Sequence, residues 1–259
     1  MFYLLTNNMY PRLNIAINSC KSLPLVFSRL GVSRTYDEIK KNEDSISNAF
    51  LEQIIITINK SYEIGVDDFI TSPKKCQMIN DLSVSGTSIN DLYEWRINPV
   101  NIYYSEIEDQ ISFYTSLFIR KNDTVFASLL YDLENDIFYT AVRSDGAKIE
   151  NRKLRVTSQI PNDYKFICDN DDISNIIVKE LSSSQVHVSS ILNSIISLAE
   201  EQVDFLIFTN LDIKEIQSEI LILQEAKMMT KVCLSNLNKK VLVVAKSRIF
   251  QKVLDIIES

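Results

Sequence analysis

Few side chains in this chain have the types and spacing needed for catalysis or metal binding. His187 is the sole histidine and lies between Val186 and Val188 in an alternating run, so we interpret it as a packed or surface residue rather than a catalytic base. The densest acidic run is Asp169-Asn170-Asp171-Asp172, which lacks the ligand spacing of a calcium-binding loop. We expect this run to cap the helix that follows it.

Two other segments carry oxygen donors that could face a hard cation. Residues 63–68 end in the adjacent acids Asp67 and Asp68, and the stretch Trp95-Arg96-Ile97-Asn98-Pro99-Val100-Asn101 places two carboxamides on either side of Pro99. Mg²⁺ prefers carboxylate oxygen, whereas a carboxamide offers only a neutral oxygen. A dication held by Asn98 and Asn101 would therefore lack the negative charge that usually binds it.

Several segments, in their order along the chain, resemble the inositol monophosphatase family. Within that family they are most similar to the bacterial extragenic-suppressor subgroup, which is linked to ribosomal-RNA transcription antitermination. The family motif Asp-Pro-Leu/Ile-Asp-Gly-Thr corresponds to Asn98-Pro99-Val100-Asn101-Ile102-Tyr103. Similar segments cover nearly the whole chain, namely residues 10–16, 113–118, 131–133, 138–143, 146–157 and 220–226.

The resemblance implies an α/β (α+β) fold, a layered α-β-α-β-α sandwich of the inositol monophosphatase and sugar phosphatase type. It implies one unit over residues 1–259, with an N-terminal α+β half over about 1–158 and a C-terminal α/β half over about 159–259. It also implies a homodimer and Mg²⁺-dependent phosphatase chemistry, in which bound metal ions organise a water molecule and a phosphate.

This sequence departs from the family at the positions that the chemistry needs. Asn98 and Asn101 stand where two aspartates are expected, and Ile102-Tyr103 replaces a Gly-Thr step. The family's earlier Glu-Glu pair should fall within residues 63–75, where Asp67 and Asp68 are a possible acidic remnant or, alternatively, part of a solvated turn. These positions are therefore interpreted as degenerate.

The later segments that resemble the family have also lost acidic residues and glycines. Trp-Asp-x-Ala-Ala-Gly becomes Lys214–Glu219, in which Glu215 alone keeps an acid at the metal position, unless this segment is simply a surface helix turn. Gly-Ser-Ala-Ala resembles Ser189–Leu192, without the glycine. Only 4 glycines occur in the chain, against a typical usage of about 7%, so a backbone cradle for phosphate is not expected.

Composition limits the classes of partner. The formal net charge is −7 and the pI is near 4.9, which disfavours direct nucleic-acid binding. The apolar runs are far shorter than the ~20 residues that span a bilayer, so no membrane association is expected. The cysteines are widely spaced, without a CxxC pair, and indicate a cytoplasmic chain with free, buried thiols.

The pattern of apolar residues indicates mixed helices and strands. We expect one helix near residues 13–30, kinked at Pro24 and ended by Gly31, then a helix near 44–60 and an irregular stretch over 63–94. Asn-Asp turns separate a predicted strand meander at 113–120, 125–131 and 137–142. Strands are then expected at 164–168, 203–208 and 241–245, and helices at 189–201, 214–226 and 249–257.

Two functions follow from these expectations. The first is a catalytically degenerate family member without a cofactor, which acts as a regulatory or transcription-associated binding protein and binds proteins of the transcription machinery. The alternative is a Mg²⁺-dependent phosphomonoesterase that acts on inositol monophosphate or a similar small phosphate ester. It would use Asp67, Asp68, Glu215 and the carboxamide oxygens as ligands.

Overall fold

The computed structural model describes residues 2–62, 68–73, 92–105, 110–156, 163–186, 191–199, 201–209 and 211–259. Four helices come first: α1 (Phe2–Cys20), α2 (Leu23–Arg29), α3 (Tyr36–Lys41) and α4 (Glu43–Asn59). The predicted helix over 44–60 is confirmed as α4, which buries Phe50, Ile54 and Ile58 at a spacing of four residues along one face.

The single helix expected over residues 13–30 is instead two helices. Pro24 lies in the first turn of α2, where its missing N–H has no intrahelical partner to lose. It therefore begins a new helix rather than kinking an existing one. Gly31, just beyond α2, has a φ of +66°, a conformation that favours glycine at a helix end.

The first sheet has seven strands in chain order. They are β1 (Asp68–Thr71), β2 (Tyr93–Ser105), β3 (Gln110–Lys121), β4 (Thr124–Asp132), β5 (Ile137–Val142), β6 (Gly146–Ile149) and β7 (Arg152–Leu154). β1 is parallel to β2, and every later neighbour is antiparallel. The predicted meander is therefore confirmed, but the expectation of irregular chain over 63–94 is wrong at β1 and at the start of β2.

The turn between β3 and β4 follows from its residue types. Asn122 and Asp123 have φ values of +50° and +60°, which is the backbone of a two-residue hairpin turn with the twist that antiparallel strands need. Asparagine and aspartate enter this left-handed region more readily than other residues with side chains. The Asn-Asp pair thus sets where the hairpin reverses.

The second sheet and its helices come from the C-terminal part of the chain. Its strands are β8 (Tyr164–Cys168), β9 (Ser183–Gln185), β10 (Phe205–Phe208), β11 (Met228–Leu234) and β12 (Lys240–Lys246), in the order β11-β12-β10-β8-β9. The helices are α5 (Asp171–Glu180), α6 (Ile191–Ala199), α7 (Gln217–Glu225) and α8 (Ser247–Glu258). The acidic run caps α5 as predicted, because the Asn170 side chain accepts the Ile173 N–H at 3.2 Å.

Three hydrophobic clusters define the layers. The first packs α1, α2 and α4 against one face of the first sheet. The second lies between the two sheets and includes α6 and α7, and the third packs α5 and α8 on the far face of the second sheet. The layer order is α-β-α-β-α, which confirms the predicted fold class.

Two further expectations concern membranes and thiols. Within the described ranges, no helix is long and apolar enough to cross a membrane. Cys20, Cys168 and Cys233 carry free thiols, of which the first two are buried. Cys76 lies outside the described residues.

Candidate functional site

A bulge in β2 brings Asn98 and Asn101 together. Asn98 lies opposite Ser116 on β3, while Asn101 lies opposite Tyr114, so one extra residue of β2 is accommodated between the two pairs. The Thr115 hydroxyl donates to the Pro99 carbonyl at 2.7 Å, which holds the bulge against β3. The local sequence thus shapes the strand where the family motif is expected.

One hydrogen bond joins the two carboxamides. Asn98 Nδ2 donates to Asn101 Oδ1 at 2.7 Å. Asn101 Nδ2 lies 3.3 Å from the Tyr114 carbonyl and 3.4 Å from Ser116 Oγ. Two carboxylates at the same separation would repel each other unless a cation lay between them. The amide pair therefore completes this part of the strand without a metal ion.

Asp68 has a different environment from the one that a metal ligand requires. It is fully buried at the start of β1 and accepts bonds from Arg12 Nε at 2.8 Å, Arg12 Nη2 at 2.9 Å and Trp95 Nε1 at 2.7 Å. Asp68 lies opposite Tyr93 in the sheet, which places it roughly 16 Å along the strands from Asn98 at about 3.3 Å per residue. The structure does not bring Asp68 to the Asn98 position, and Asp67 lies outside the described residues.

The end of β1, rather than its start, points toward Asn98. Thr71 lies opposite Arg96, so the next residues, Ser72 and Pro73, continue toward Asn98. Pro73 and Asn98 line a small cavity of about 10 Å³, which we call the Asn98 cavity; its other lining residues are Arg96, Ser116, Phe118, Glu215 and Ser218. Over its described residues, 72 and 73, the strand end that approaches the motif therefore supplies no carboxylate.

Of the predicted metal positions, Asn98 and Glu215 share this cavity, and Asn101 is bonded to Asn98. Glu215 is exposed, and Arg96 adds a positive charge to the same lining. Among the residues that the structure describes, no group of three or more His, Cys, Asp or Glu side chains could hold a metal ion. These residues do not fit the Mg²⁺ site that the fold family implies, because hard cations need several anionic oxygens.

A second carboxylate near the motif is buried in the core. Glu219, in the first turn of α7, is 2% exposed, and burial raises its pKa to about 7. The Tyr114 hydroxyl donates to Glu219 Oε1 at 3.5 Å, while Oε2 has no partner among the described residues. The Tyr114 carbonyl faces Asn101, so Glu219 and Asn101 both contact the same residue of β3.

α7 is fixed at its other end by Glu225. This carboxylate accepts the Ser144 N–H at 2.9 Å and the Gly146 N–H at 3.1 Å, so the last turn of α7 is tied to the turn between β5 and β6. The two segments, 220–226 and 146–157, are among those that carry the sequence resemblance. Their contact places the start of α7, with Ser218, at the Asn98 cavity.

Sequence reasoning missed Arg96 as a site residue. Arg96 belongs to the quoted motif, but its neighbours Trp95 and Ile97 are buried core residues. An arginine within such a strand was the available signal, since a charged side chain between buried apolar neighbours needs a polar environment on its own face.

Comparison with known proteins agrees with this architecture. No family model matches the chain. The Nus factor SuhB of Pasteurella multocida (strain Pm70) is 28% identical over 157 residues, which is 58% of this chain and 54% of that protein. The match therefore spans about half of that relative's length.

Solved structures cover more of the chain at lower identity. The extragenic suppressor protein SuhB from Bartonella henselae superposes with a TM-score of 0.66 at 15% identity, covering 95% of this chain and 96% of that one. Inositol monophosphatase II from Staphylococcus aureus MSSA476 gives 0.68 at 16% identity, covering 96% and 94%. The chain has the inositol monophosphatase fold. Over part of its length it is also similar in sequence to SuhB.

Proposed function

We propose that this chain is a catalytically degenerate member of the inositol monophosphatase family that acts as a regulatory, transcription-associated binding protein. The observation that carries the proposal is the 2.7 Å hydrogen bond between Asn98 and Asn101. It joins two neutral amides at the positions where the resemblance implies metal-binding carboxylates. Loss of the acids with retention of all five layers favours binding over catalysis.

The charges around the Asn98 cavity support the proposed loss of catalysis. Phosphate-ester hydrolysis in this family implies Mg²⁺ ions that neutralise the substrate and activate water. Here Arg96 lines the Asn98 cavity with the single exposed acid Glu215. A cation entering this cavity would meet a guanidinium and neutral amides, so the cavity does not concentrate the negative charge that a metal requires.

The binding half of the proposal draws on the relative and on the charge of the chain. The Pasteurella multocida relative is named a Nus factor, and we propose partners for this chain among proteins of the transcription machinery. A net charge of −7 supports a protein partner rather than direct contact with nucleic acid. We also propose a homodimer, formed through the strand meander and its adjoining loops.

Hydrolysis of inositol 1-phosphate tests the catalytic proposal. We expect wild-type protein to release no phosphate above background with Mg²⁺, and the double variant Asn98→Asp, Asn101→Asp to remain inactive. The variant restores two charges, but Ile102 and Tyr103 still replace the Gly-Thr step, and Glu219 still replaces a glycine. Residues that act as one catalytic unit are not restored additively.

An active inositol monophosphatase serves as the control for this assay. Robust Mg²⁺-dependent turnover by the wild type would establish the alternative function, a phosphomonoesterase for inositol monophosphate or a similar small ester. The shared cavity of Asn98 and Glu215 is the observation that favours this alternative. Rescue by the double variant would show instead that charge alone had been lost.

Two measurements test the proposed transcription partners and the proposed homodimer. Immobilised protein is expected to bind purified transcription complexes that contain Nus factors, and an active inositol monophosphatase of the same fold is expected not to bind them. If both proteins bound these complexes equally, or if neither bound them, the proposed transcription partners would be wrong. Light scattering at micromolar concentration is expected to give the mass of a dimer, and a monomer mass would end that part of the proposal.

A further inference from the structure

We propose that β11, at the edge of the second sheet, binds an extended acidic segment of a partner protein as an added strand. Among the described strands, the two sheets end in four edges, which are β1, β7, β9 and β11. The first three have only four, three and three residues, whereas β11 has seven. The inference goes beyond the proposed function, because it names a surface and a ligand chemistry that do not depend on the loss of catalysis.

β11 lacks the features that usually protect the edge of a sheet. Its residues Met228–Leu234 pair with β12 in unbroken register, and the strand contains neither a proline nor a bulge. Its one lysine, Lys231, is held by Glu258 of α8 at 2.6 Å, so this charge lies on the α8 face of the sheet. Short strands, bulges, prolines and charges are the common protections. Within the described ranges only β12 pairs with β11, so its outer backbone groups are available to another strand.

Apolar side chains along β11 would support an added strand. Residues 228, 230, 232 and 234 share one face, and α7 covers this face as far as Thr230, which accepts a hydrogen bond from Gln224 at 2.8 Å. Beyond that point Val232 and Leu234 are exposed, Leu234 by 65%. Side chains on neighbouring strands contact each other across the pair. Alternating apolar residues in a partner strand would therefore cover Val232 and Leu234.

The charge around β11 favours an acidic partner. Residues 226–254 contain seven lysine and arginine residues and no aspartate or glutamate, in a chain whose net charge is −7. Lys231, Lys239 and Lys246 form ion pairs with acids from other parts of the chain. Lys227 and Lys240 are exposed and have no such ion pair among the described residues. Opposite charges steer and align a partner, so these two cations set the sign of the charge that β11 attracts.

The two exposed lysines lie at opposite ends of β11. Lys227 precedes the strand, and Lys240 lies opposite Leu234, which separates them by roughly 24 Å at about 3.4 Å per residue. Arg155 adds an exposed cation near Lys227, because the N–H of the next residue, Val156, donates to the Ala226 carbonyl at 3.3 Å. The fitting ligand is therefore an extended segment with alternating apolar residues between acidic residues at both ends.

A second copy of this chain fits β11 less well than an acidic segment does. Antiparallel self-pairing of β11 would place two copies of the same cationic stretch, residues 226–254, side by side. Like charges across neighbouring strands are destabilising. An acidic segment replaces this repulsion by attraction and keeps the backbone hydrogen bonds, which supply the affinity when a strand is added to a sheet.

Fluorescence anisotropy of the full chain with a dye-labelled synthetic peptide tests the inference. The peptide has alternating valine and threonine residues between two pairs of glutamates. Saturable binding is expected. It should be lost when alternate peptide nitrogens are methylated, because methylation removes the backbone donors on which strand addition depends. Hydrogen exchange of the β11 amides is expected to slow when the unmethylated peptide is bound, since an added strand protects them.

Variants of β11 and of its two flanking lysines locate the binding surface. Leu234→Asp is expected to weaken binding about tenfold, because it places a negative charge against the acidic peptide. The double variant Lys227→Glu, Lys240→Glu is expected to weaken binding at least as much for the same reason. The matched controls are Leu25→Asp and the double variant Lys21→Glu, Lys60→Glu, which change exposed residues of the N-terminal helical layer and should bind like the wild type.

Each outcome supports or overturns the inference. Absence of saturable binding, equal binding of the methylated peptide, or unchanged affinity in both β11 variants would overturn it. Self-association of the wild type that Leu234→Asp abolishes would assign this edge to a second copy instead. If thermal melts show that Leu234→Asp is unfolded, the double lysine variant decides alone.

Failure of this proposal is distinguishable from failure of the proposed function. The peptide assay contains neither Mg²⁺ nor a transcription complex, so absence of peptide binding leaves the proposed loss of catalysis and the proposed transcription partners to their own measurements. Conversely, turnover in the Mg²⁺ assay would defeat the proposed loss of catalysis without bearing on β11.

Discussion

Glu219 carries an ionisable side chain in the core between the two sheets, with one oxygen unpartnered in the described structure. Burial raises its pKa from 4.5 to about 7, so the folded state holds the proton more tightly than the unfolded chain. This carboxyl carries no penalty below pH ~4.5. The free energy of unfolding therefore falls as the pH rises from about 4.5 to about 7, by roughly 3 kcal/mol in total.

Glu219→Gln is expected to remove this penalty. At pH 8 the variant should have a free energy of unfolding higher than the wild type by up to roughly 3 kcal/mol, whereas at pH 4 the difference should nearly vanish. Urea unfolding at both pH values measures the effect. Glu215→Gln, which changes an exposed residue of the same type, is the control and should show no such difference. A variant that is less stable at pH 8 would contradict the prediction.

Asp68 shows the opposite situation, a buried charge with all its partners. Asp68→Asn would leave the Arg12 guanidinium buried without its carboxylate, and we expect the free energy of unfolding to fall by about 3–5 kcal/mol. Chemical denaturation measures the loss. The double variant Arg12→Met, Asp68→Asn removes both charges and should recover part of the stability. If the double variant were as unstable as the single one, the ion pair would not be the cause.

The sequence marked Asn98 and Asn101 as altered metal positions, but it predicted neither their hydrogen bond nor the Arg12–Asp68 ion pair. Asn98 and Asn101 are three residues apart, and on a regular strand their side chains would point to opposite faces; the bulge in β2 brings them together. Arg12 and Asp68 are 56 residues apart, and no local pattern links an arginine in an N-terminal helix to an acid before a short strand. The adjacent acids at 67–68 looked like a site because burial cannot be read from two neighbouring residues.

At the scale of elements, the hydrogen bonds between α7 and the β5–β6 turn should make a measurable contribution to stability. Glu225→Ala removes the acceptor of two backbone N–H groups, from Ser144 and Gly146. We expect the free energy of unfolding to fall by about 1–3 kcal/mol. Glu180→Ala, at the exposed end of α5, is the matched control. Equal effects of the two substitutions would show that the turn does not depend on Glu225.

Element prediction succeeded where apolar periodicity and turn residues agree. The strands around Asn122-Asp123 were predicted because β-branched and aromatic runs flank residues suited to the left-handed turn. β1 has only four residues, too few for a periodic signal. β2 contains Pro99 and a bulge, which interrupt its alternation. Strand pairing across the sheet stabilises both elements, and this stabilisation is invisible to local propensity.

For the whole molecule, stability should be independent of divalent cations. The three hydrophobic clusters supply the core, and the site is closed by the Asn98–Asn101 bond, so the melting temperature should be the same in EDTA and in MgCl₂. Differential scanning calorimetry compares the two conditions, with an active family member as the control that gains stability from metal binding. A large drop in EDTA would show that a metal supports the fold.

The layer order was predictable because it depends on the sequence of several segments rather than on any single residue. The site was less predictable, since identities of only 15–16% to the solved structures establish a shared fold alone. Packing tolerates many substitutions that keep volume and pattern, whereas metal coordination does not tolerate loss of charge. A shared fold therefore does not establish shared chemistry at the site.

The step from Asn98 to Pro99 has a consequence for ageing of the protein. Spontaneous conversion of asparagine to aspartate proceeds through attack of the following backbone nitrogen on the side-chain amide. Proline has no backbone N–H, so this route is closed at Asn98. The amide that donates to Asn101 is therefore protected from this route to aspartate, which would otherwise return a carboxylate to that position.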